Sequence, residues 1–264
     1  MKEVQPVVIK IAETKAYPVE IARVVRMLGG SKDAADRMMN LETSGAEQLI
    51  ETAGRICYKS YEPGLNPNVT KIRVESADYF RNIIAKGDGS VMEHSTVSFA
   101  LLNVSRVMTH EIVRHRVGTA FSQESLRYVR PKDIGLWVPP ELNEEQSELL
   151  QKIFGQAEEG YRLLEKTVDW DKVPFDLKKR LTSAFRRILP DGMATNIIFT
   201  ANHRTLRWLI EMRTDPAAEV EIRMVFDQIA QILKRDYPLL YQDFVRTELP
   251  DGTGQWKPLL RSKV

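Results

Sequence analysis

Four arginines and one histidine crowd the stretch Arg114-His115-Arg116-Val117-Gly118-Thr119-Ala120-Phe121-Ser122-Gln123-Glu124-Ser125-Leu126-Arg127-Tyr128-Val129-Arg130. A guanidinium is a planar fork of donors that stays charged at any working pH and matches phosphate oxygens two at a time. Ser122, Gln123 and Ser125 add neutral donors and acceptors, and Glu124 is the one acid in the run. Arg114, Arg116 and Arg127 held together need a counter-anion. The composition therefore points to phosphate binding, and its plain alternative is a solvated basic face at a helix end.

A second basic cluster lies about 90 residues downstream: Asn202-His203-Arg204-Thr205-Leu206-Arg207-Trp208-Leu209-Ile210-Glu211-Met212-Arg213. Its plain alternative is an amphipathic helix whose Arg207 and Arg213 reach out to water. Between the clusters stands Arg186-Arg187-Ile188-Leu189-Pro190, where an arginine at a helix end also suits the dipole. Upstream are Ser90 and the pair Glu93-His94.

Together these segments resemble the flavin-dependent thymidylate synthase family. That family's signature is Arg-His-Arg, a short spacer, then Ser-x-Arg-Tyr, which Arg114-His115-Arg116 and Ser125-Leu126-Arg127-Tyr128 repeat. The spacer Val117 to Glu124 holds eight residues, one more than is usual there, and Gly118 tolerates the positive φ that such an insertion can require. Asn202, Arg204 and Arg213, followed by Ala218-Glu219-Val220-Glu221-Ile222-Arg223, fall at the spacing of the family's second signature. Departures are Asp88, Glu111 and Trp208, where the family often has histidine, glutamine, and asparagine or histidine. A carboxylate at Glu111 repels phosphate, so it is expected to pair with Arg114 or His115 one turn along a helix.

The resemblance covers roughly Gly54 to Phe244 and implies an α/β (α+β) fold, a central mixed sheet with flanking helices, within a single domain of residues 1–264. It implies bound FAD, and conversion of dUMP to dTMP with methylenetetrahydrofolate and NADPH as co-substrates, in a homotetramer with shared sites. By the same resemblance Glu111, Arg114, Gln123, Glu124, Ser125, Leu126, Arg127, Arg186 and Arg213 hold dUMP, Arg213 being the catalytic group. Ser90, Glu93, Arg114, His115, Arg116, Gln123, Asn202, His203, Arg204 and Trp208 are the corresponding FAD residues. Two rivals stand beside this reading: a nucleic-acid-binding module using both arginine clusters, and a flavoprotein of this fold with an altered reaction.

Composition narrows the choice. Lys and Arg number 38 against 36 Asp and Glu, a net charge of +2, which argues against a general nucleic-acid binder. The four histidines lack ligand spacing and partner cysteines, so no metal site is expected. Cys57, the single cysteine, excludes an intrachain disulfide and is expected to be a buried structural residue at an apolar helix end rather than a nucleophile. Gly29-Gly30 and Gly87-Asp88-Gly89 match neither a P-loop nor a Rossmann motif. No apolar run approaches the roughly 20 residues needed to cross a bilayer, and no signal pattern opens the chain, so a soluble cytoplasmic protein is expected.

The elements that must position these residues follow from periodicity. Val7 to Ala12 and Ser95 to Val104 read as strands, the second alternating Val97, Phe99 and Leu101 with Ser98 and Ala100. Helices are expected over Pro18–Leu28, from a Thr43 or Ser44 cap through Ala53, over Ile72–Ala85, Arg106–Arg116, Glu141–Lys166, Phe175–Ile188, Thr205–Met212 and Ala217–Leu233. Residues 31–40 read as loop or short helix, 61–70 as a loop, and 196–200 as a strand or a helix start.

Overall fold

The alternation of Val97, Phe99 and Leu101 with Ser98 and Ala100 predicts a largely buried strand, and the computed structural model, which describes residues 1–264, builds its central sheet on that strand with one face buried and the other partly open. Two strands open the chain, β1 (Lys2–Glu3) and β2 (Val7–Glu13), followed by helices α1 (Pro18–Met27), α2 (Lys32–Met39), α3 (Gly45–Tyr58) and α4 (Ser76–Lys86). A short 3-10 turn, Gly89–His94, leads into β3 (Thr96–Ser105). Next come α5 (Arg106–Ile112), β4 (Thr119–Gln123), β5 (Gly135–Leu136), α6 (Glu144–Lys166) and α7 (Phe175–Phe185). β6 (Ala194–Asn202), α8 (His203–Arg213), α9 (Val220–Asp236) and the hairpin β7 (Phe244–Glu248) and β8 (Gly254–Pro258) complete it.

The four-stranded sheet runs β2-β3-β6-β4. The α+β class holds, but the central sheet is antiparallel throughout rather than mixed, and parallel pairing is confined to the two-residue β1–β5 ladder. An antiparallel sheet can leave one face to solvent. Here Val97, Phe99 and Leu101 of β3 and Ile197, Phe199 and Ala201 of β6 face a 32-residue core closed by α3, α4, α8 and α9. Each fully buried aliphatic or aromatic side chain contributes roughly 1.5–3 kcal/mol relative to exposure. On the outer face Ile9, Ala100, Ile198 and Ser122 stand in one register row, with Val7, Ile9 and Ile198 each more than 40% exposed.

Local chemistry explains most boundaries. Ser44 caps α3 in a reciprocal capping box with Glu47, and Ser31, Ser105, Asn143 and Asn202 cap α2, α5, α6 and α8 with their side-chain oxygens. Gly87 ends α4 at φ +80°, as the Gly-Asp-Gly run predicts. Residues 31–40 resolve to α2, and 196–200 to a strand paired on both edges. α4 starts four residues later than its periodicity predicts, α5 stops at Ile112 instead of Arg116, and α7 gives way to a 3-10 turn at Arg186.

Candidate functional site

α5 is two turns long, and its inward residues Met108, Thr109 and Ile112 are buried while the chain after Val113 turns away. Arg114-His115-Arg116 therefore lies in the turn that follows the helix, not on its last turn. Two bonds clamp that turn to the start of α8, Asn202 N donating to Gly118 O at 3.0 Å and Thr205 Oγ1 to Val117 O at 2.9 Å, and a third closes the turn on itself, Thr119 Oγ1 donating to His115 O at 2.5 Å. Gly118 has φ +70°, and a Cβ there would run into the Asn202 amide and the Thr205 hydroxyl. The position demands glycine twice over, for its backbone angle and for the close approach.

α8 carries Arg213 back against this turn. Its guanidinium donates from Nε and Nη2 to His115 Nε2 at 2.9 and 2.7 Å, from Nη1 to Glu111 Oε2 at 2.8 Å, and from Nη2 to Glu111 O at 3.4 Å. A guanidinium only donates, so His115 Nε2 is an acceptor and the imidazole is neutral with its proton on Nδ1. Burial lowers the His115 pKa to about 4, and the charges of Arg213 and Arg114 push it the same way. The Trp208 ring meets the imidazole edge-on, centroids 5.1 Å apart at 84°, which fixes its orientation. Glu111 thus pairs across to Arg213, not along its own helix to Arg114 or His115: α5 ends before those residues, which breaks the expected one-turn spacing.

The other expected nucleotide residues separate into open and engaged groups. Arg114, Arg116 and Arg127 are exposed and take part in none of the ion pairs. Ser125 Oγ accepts from Arg127 N at 3.3 Å, while Gln123 turns inward and donates to Thr109 Oγ1 at 3.0 Å. Glu124 is tied to β6, accepting from Asn196 Nδ2 at 2.9 Å. Leu126 is 7% exposed in a small core with Ile134, Leu136, Phe154 and Met193, so only its backbone can face a ligand. Glu124, Leu126, Arg130 and Asn196 help line a cavity of about 380 Å³.

Arg186 sits in the 3-10 turn that follows α7. Beside it is Arg106, which the motifs did not single out: its Nη1 is buried without a partner, and burial, then the charge of Arg186, lowers its pKa against the pull of Asp191 and Glu124. A buried donor without a partner, beside a second guanidinium, suits an anionic ligand. The one sequence signal was its place immediately after the Ser105 cap.

Of the expected cofactor residues, Glu93 accepts from Arg204 Nη1 at 2.6 Å, and Arg204 Nε donates to Val264 O at 2.9 Å, leaving Nη2 open. Ser90 is exposed, and Asn202, 8% exposed, spends its side-chain oxygen on Thr205 N. His203 is fully buried, Nδ1 3.0 Å from Tyr241 OH and its ring against Tyr237, so its imidazole is a core group that cannot touch a ligand. Arg204 and Arg213 stand at opposite ends of α8, about 14 Å apart along its axis. Trp208, Glu211, Met212 and Arg213 line, with Lys263, a cavity of about 590 Å³.

Cys57 is exposed, not buried: α3 turns Ile50 and Gly54 toward the core and leaves Ile56, Cys57 and Tyr58 outward at its end. Its thiol lies 3.4 Å from Ala53 O, with no acid–base partner at hand.

A family model described as Thymidylate synthase complementing protein matches residues 40–239. The flavin-dependent thymidylate synthase of Mycobacterium tuberculosis is 35% identical over 220 residues, spanning 80% of this chain and 85% of that protein. The enzyme of the same name from Corynebacterium efficiens is 31% identical over 244 residues, spanning 89% and 94%. Among solved structures, a UMP/dUMP methylase, PolB from Streptomyces cacaoi bound with 5-Br UMP, shares the fold at a TM-score of 0.62, over 92% of this chain and 95% of that one, with 15% identity.

Proposed function

The chain belongs to the flavin-dependent thymidylate synthase family, and from that premise we propose that it converts dUMP to dTMP. Methylenetetrahydrofolate is the carbon donor in this reading and NADPH the reductant, and the protein acts as a cytoplasmic enzyme of one domain. The observation that carries it is the setting of Arg213: one guanidinium held by Glu111 and His115, with the exposed, unpaired Arg114 acting on the same imidazole.

The donor set suits FAD and a nucleotide. Arg114 and Arg116 are open, Gly118 lets the backbone come close to Asn202, and Arg204 keeps one donor free. FAD, when bound, supplies the redox chemistry, and the protein supplies position and electrostatics. Arg116, Arg204, Asn202, Ser90 and Trp208 are assigned to it, with Arg114, His115, Glu93 and the Gln123 backbone alongside, and the His203 ring left out. Arg127, Arg186 and Ser125 are assigned to the dUMP phosphate and sugar, joined by Arg106, whose unpartnered Nη1 asks for an acceptor.

Arg213 then faces the uracil. Its charge lowers the energy of negative charge developing on the ring, including ionisation at N3, without transferring an atom. Neutral His115 accepts two of its hydrogen bonds and Glu111 two, at its carboxylate and its carbonyl, so the guanidinium plane is set before the nucleotide arrives. Preorganised donors of this kind need no reorganisation as the charge forms.

The exposed Val7, Ile9 and Ile198 on the outer face of the sheet support self-association, and a homotetramer with shared sites is the assembly proposed. The test is to purify the protein, record a flavin absorbance band, and follow dTMP formation from dUMP with methylenetetrahydrofolate and NADPH. A flavin-loaded protein that forms no dTMP refutes the reaction and favours an altered one. A colourless protein with salt-steep affinity for polynucleotide refutes the enzyme reading altogether.

A further inference from the structure

Glu221, at the start of α9, is 2% exposed, and both its oxygens are spent on a single residue of another element. Oε1 accepts from Ser105 N at 2.6 Å, and the second oxygen accepts from the Ser105 hydroxyl. Ser105 in turn caps α5, its Oγ accepting from Met108 N at 3.0 Å. α5 is two turns long, so its direction is set at its ends. Its other end is Glu111, which receives Arg213 through carboxylate and carbonyl.

The path closes on itself. Arg213 ends α8, and residues 214–219 lead back to Glu221. Arg223 stiffens that loop, donating to Pro216 O at 3.1 Å and Ala218 O at 2.7 Å while Nε reaches Thr253 Oγ1 at 2.8 Å. Glu219 Oε2 accepts from Glu221 N and Ile222 N at 2.9 and 3.1 Å. The ring thus runs Arg213, loop, Glu221, Ser105, α5, Glu111 and back to Arg213.

We propose that Glu221 is a positioning residue for Arg213: it holds the start of α5 against α9, so that Glu111 and His115 meet one guanidinium from two sides. The meaning for turnover rests on the thymidylate synthase reading; the geometry does not. A carboxylate here is costly for the fold alone. Burial raises the Glu221 pKa to about 7, Glu219 and Glu111 adding to the shift against the Ser105 bonds. A group raised in the fold contributes stability below its unfolded value that is lost as pH rises through the folded one. Above pH 7 the protein therefore carries a buried charge whose service is to Ser105, which already caps α5 through Met108 N.

Glu221→Gln keeps the size of the side chain and removes the charge. The first readout needs no activity: NMR titration of the histidine ring protons. With Arg213 loosened, the His115 midpoint rises by about 1 pH unit toward its ordinary value, while His203, in the core away from this ring, keeps its own. Movement of both histidines together, or of neither, overturns the proposal, the first because the core has merely loosened. In the active enzyme Glu221→Gln lowers kcat on the order of 10-fold with KM for dUMP changed less than about 2-fold, and costs less than about 2-fold more in an Arg213→Lys background. Additive losses overturn it. If the parent forms no dTMP, the titration still decides the positioning claim. Should Glu221→Gln fail to fold, Ser105→Ala, which removes only the hydroxyl link, is read by the same titration, and an unmoved His115 refutes the link.

Discussion

Two sets of arginines in this chain look alike in sequence and are opposite in structure. Arg207 is 2% exposed, its Nη1 and Nη2 each 2.9 Å from an oxygen of Asp243, its Nη1 also on Leu240 O, and its plane over Phe244. Arg55 is held likewise by Glu51 and two carbonyls over Tyr79. Arg114, Arg116 and Arg127 are exposed and unpaired. The fold consumes the first set and leaves the second over. An unpaired surface arginine is ordinary by itself, but Arg114 acts on the same His115 that Arg213 holds, and Arg106 beside Arg186 keeps a buried Nη1 without a partner, which suits an anion.

The comparison breaks most sharply at Arg207. Arg207→Ala strands the buried carboxylate of Asp243 and is expected to cost roughly 3–5 kcal/mol of folding stability, read as a lowered urea midpoint. A variant as stable as the parent would mean that the two sets are not different in kind.

Arg213 belongs to both sets, paired yet facing a cavity. Arg213→Ala is expected to lower turnover on the order of 10²–10³-fold with FAD content unchanged, and Arg213→Lys, which keeps the charge but not the fork, to recover little. Parent-rate turnover in both would make it a surface arginine on an amphipathic helix.

Acid sharpens the same line. His203 and His115 have pKa values lowered to about 3 and about 4, burial being the first cause in each. Their stabilising contribution is full above the unfolded value of about 6.5 and is lost as pH falls toward the folded values. The denaturant midpoint should therefore drop between pH 6.5 and pH 4, and His203→Gln should flatten part of that slope. An unchanged slope would mean that His203 is not buried neutral.

Smaller effects come from the free set. Arg127→Ala should leave stability within about 0.5 kcal/mol and weaken dUMP binding about tenfold, or 1.4 kcal/mol, by calorimetry. Smallest of all is Cys57→Ser, expected to keep turnover and stability, since the thiol is exposed and without a base. An inactive but folded and flavin-loaded Cys57→Ser protein would undo the proposed chemistry.

Legibility followed the range of the physics. α3 and α8 were readable because capping and 3.6-residue periodicity act within a few residues. β4 was not, since Thr119–Gln123 mixes Ser and Gln with apolar residues and becomes a strand only by pairing with β6. The β7–β8 hairpin went unassigned for the same reason. Within the site, the arginine clusters and Gly118 stood out by type and spacing. The partner of Glu111 was misread, because where α5 ends decides whether Arg114 lies one turn away, and a turn clamped by Asn202 and Thr205 ends it early.

By itself the sequence determined the residues that chemistry requires, the family they belong to, most helices with the caps of α3 and α5, and the strand that centres the sheet, all encoded locally in side-chain type and spacing. Only the tertiary structure decided which arginines remain free, that His203 is core while His115 meets Arg213, that Cys57 faces solvent, and that Arg106 keeps a buried donor without a partner beside Arg186. Those outcomes depend on burial and on partners up to about 100 residues away, such as Glu111 for Arg213. A charge's role is set by what neutralises it, and no local pattern names that partner.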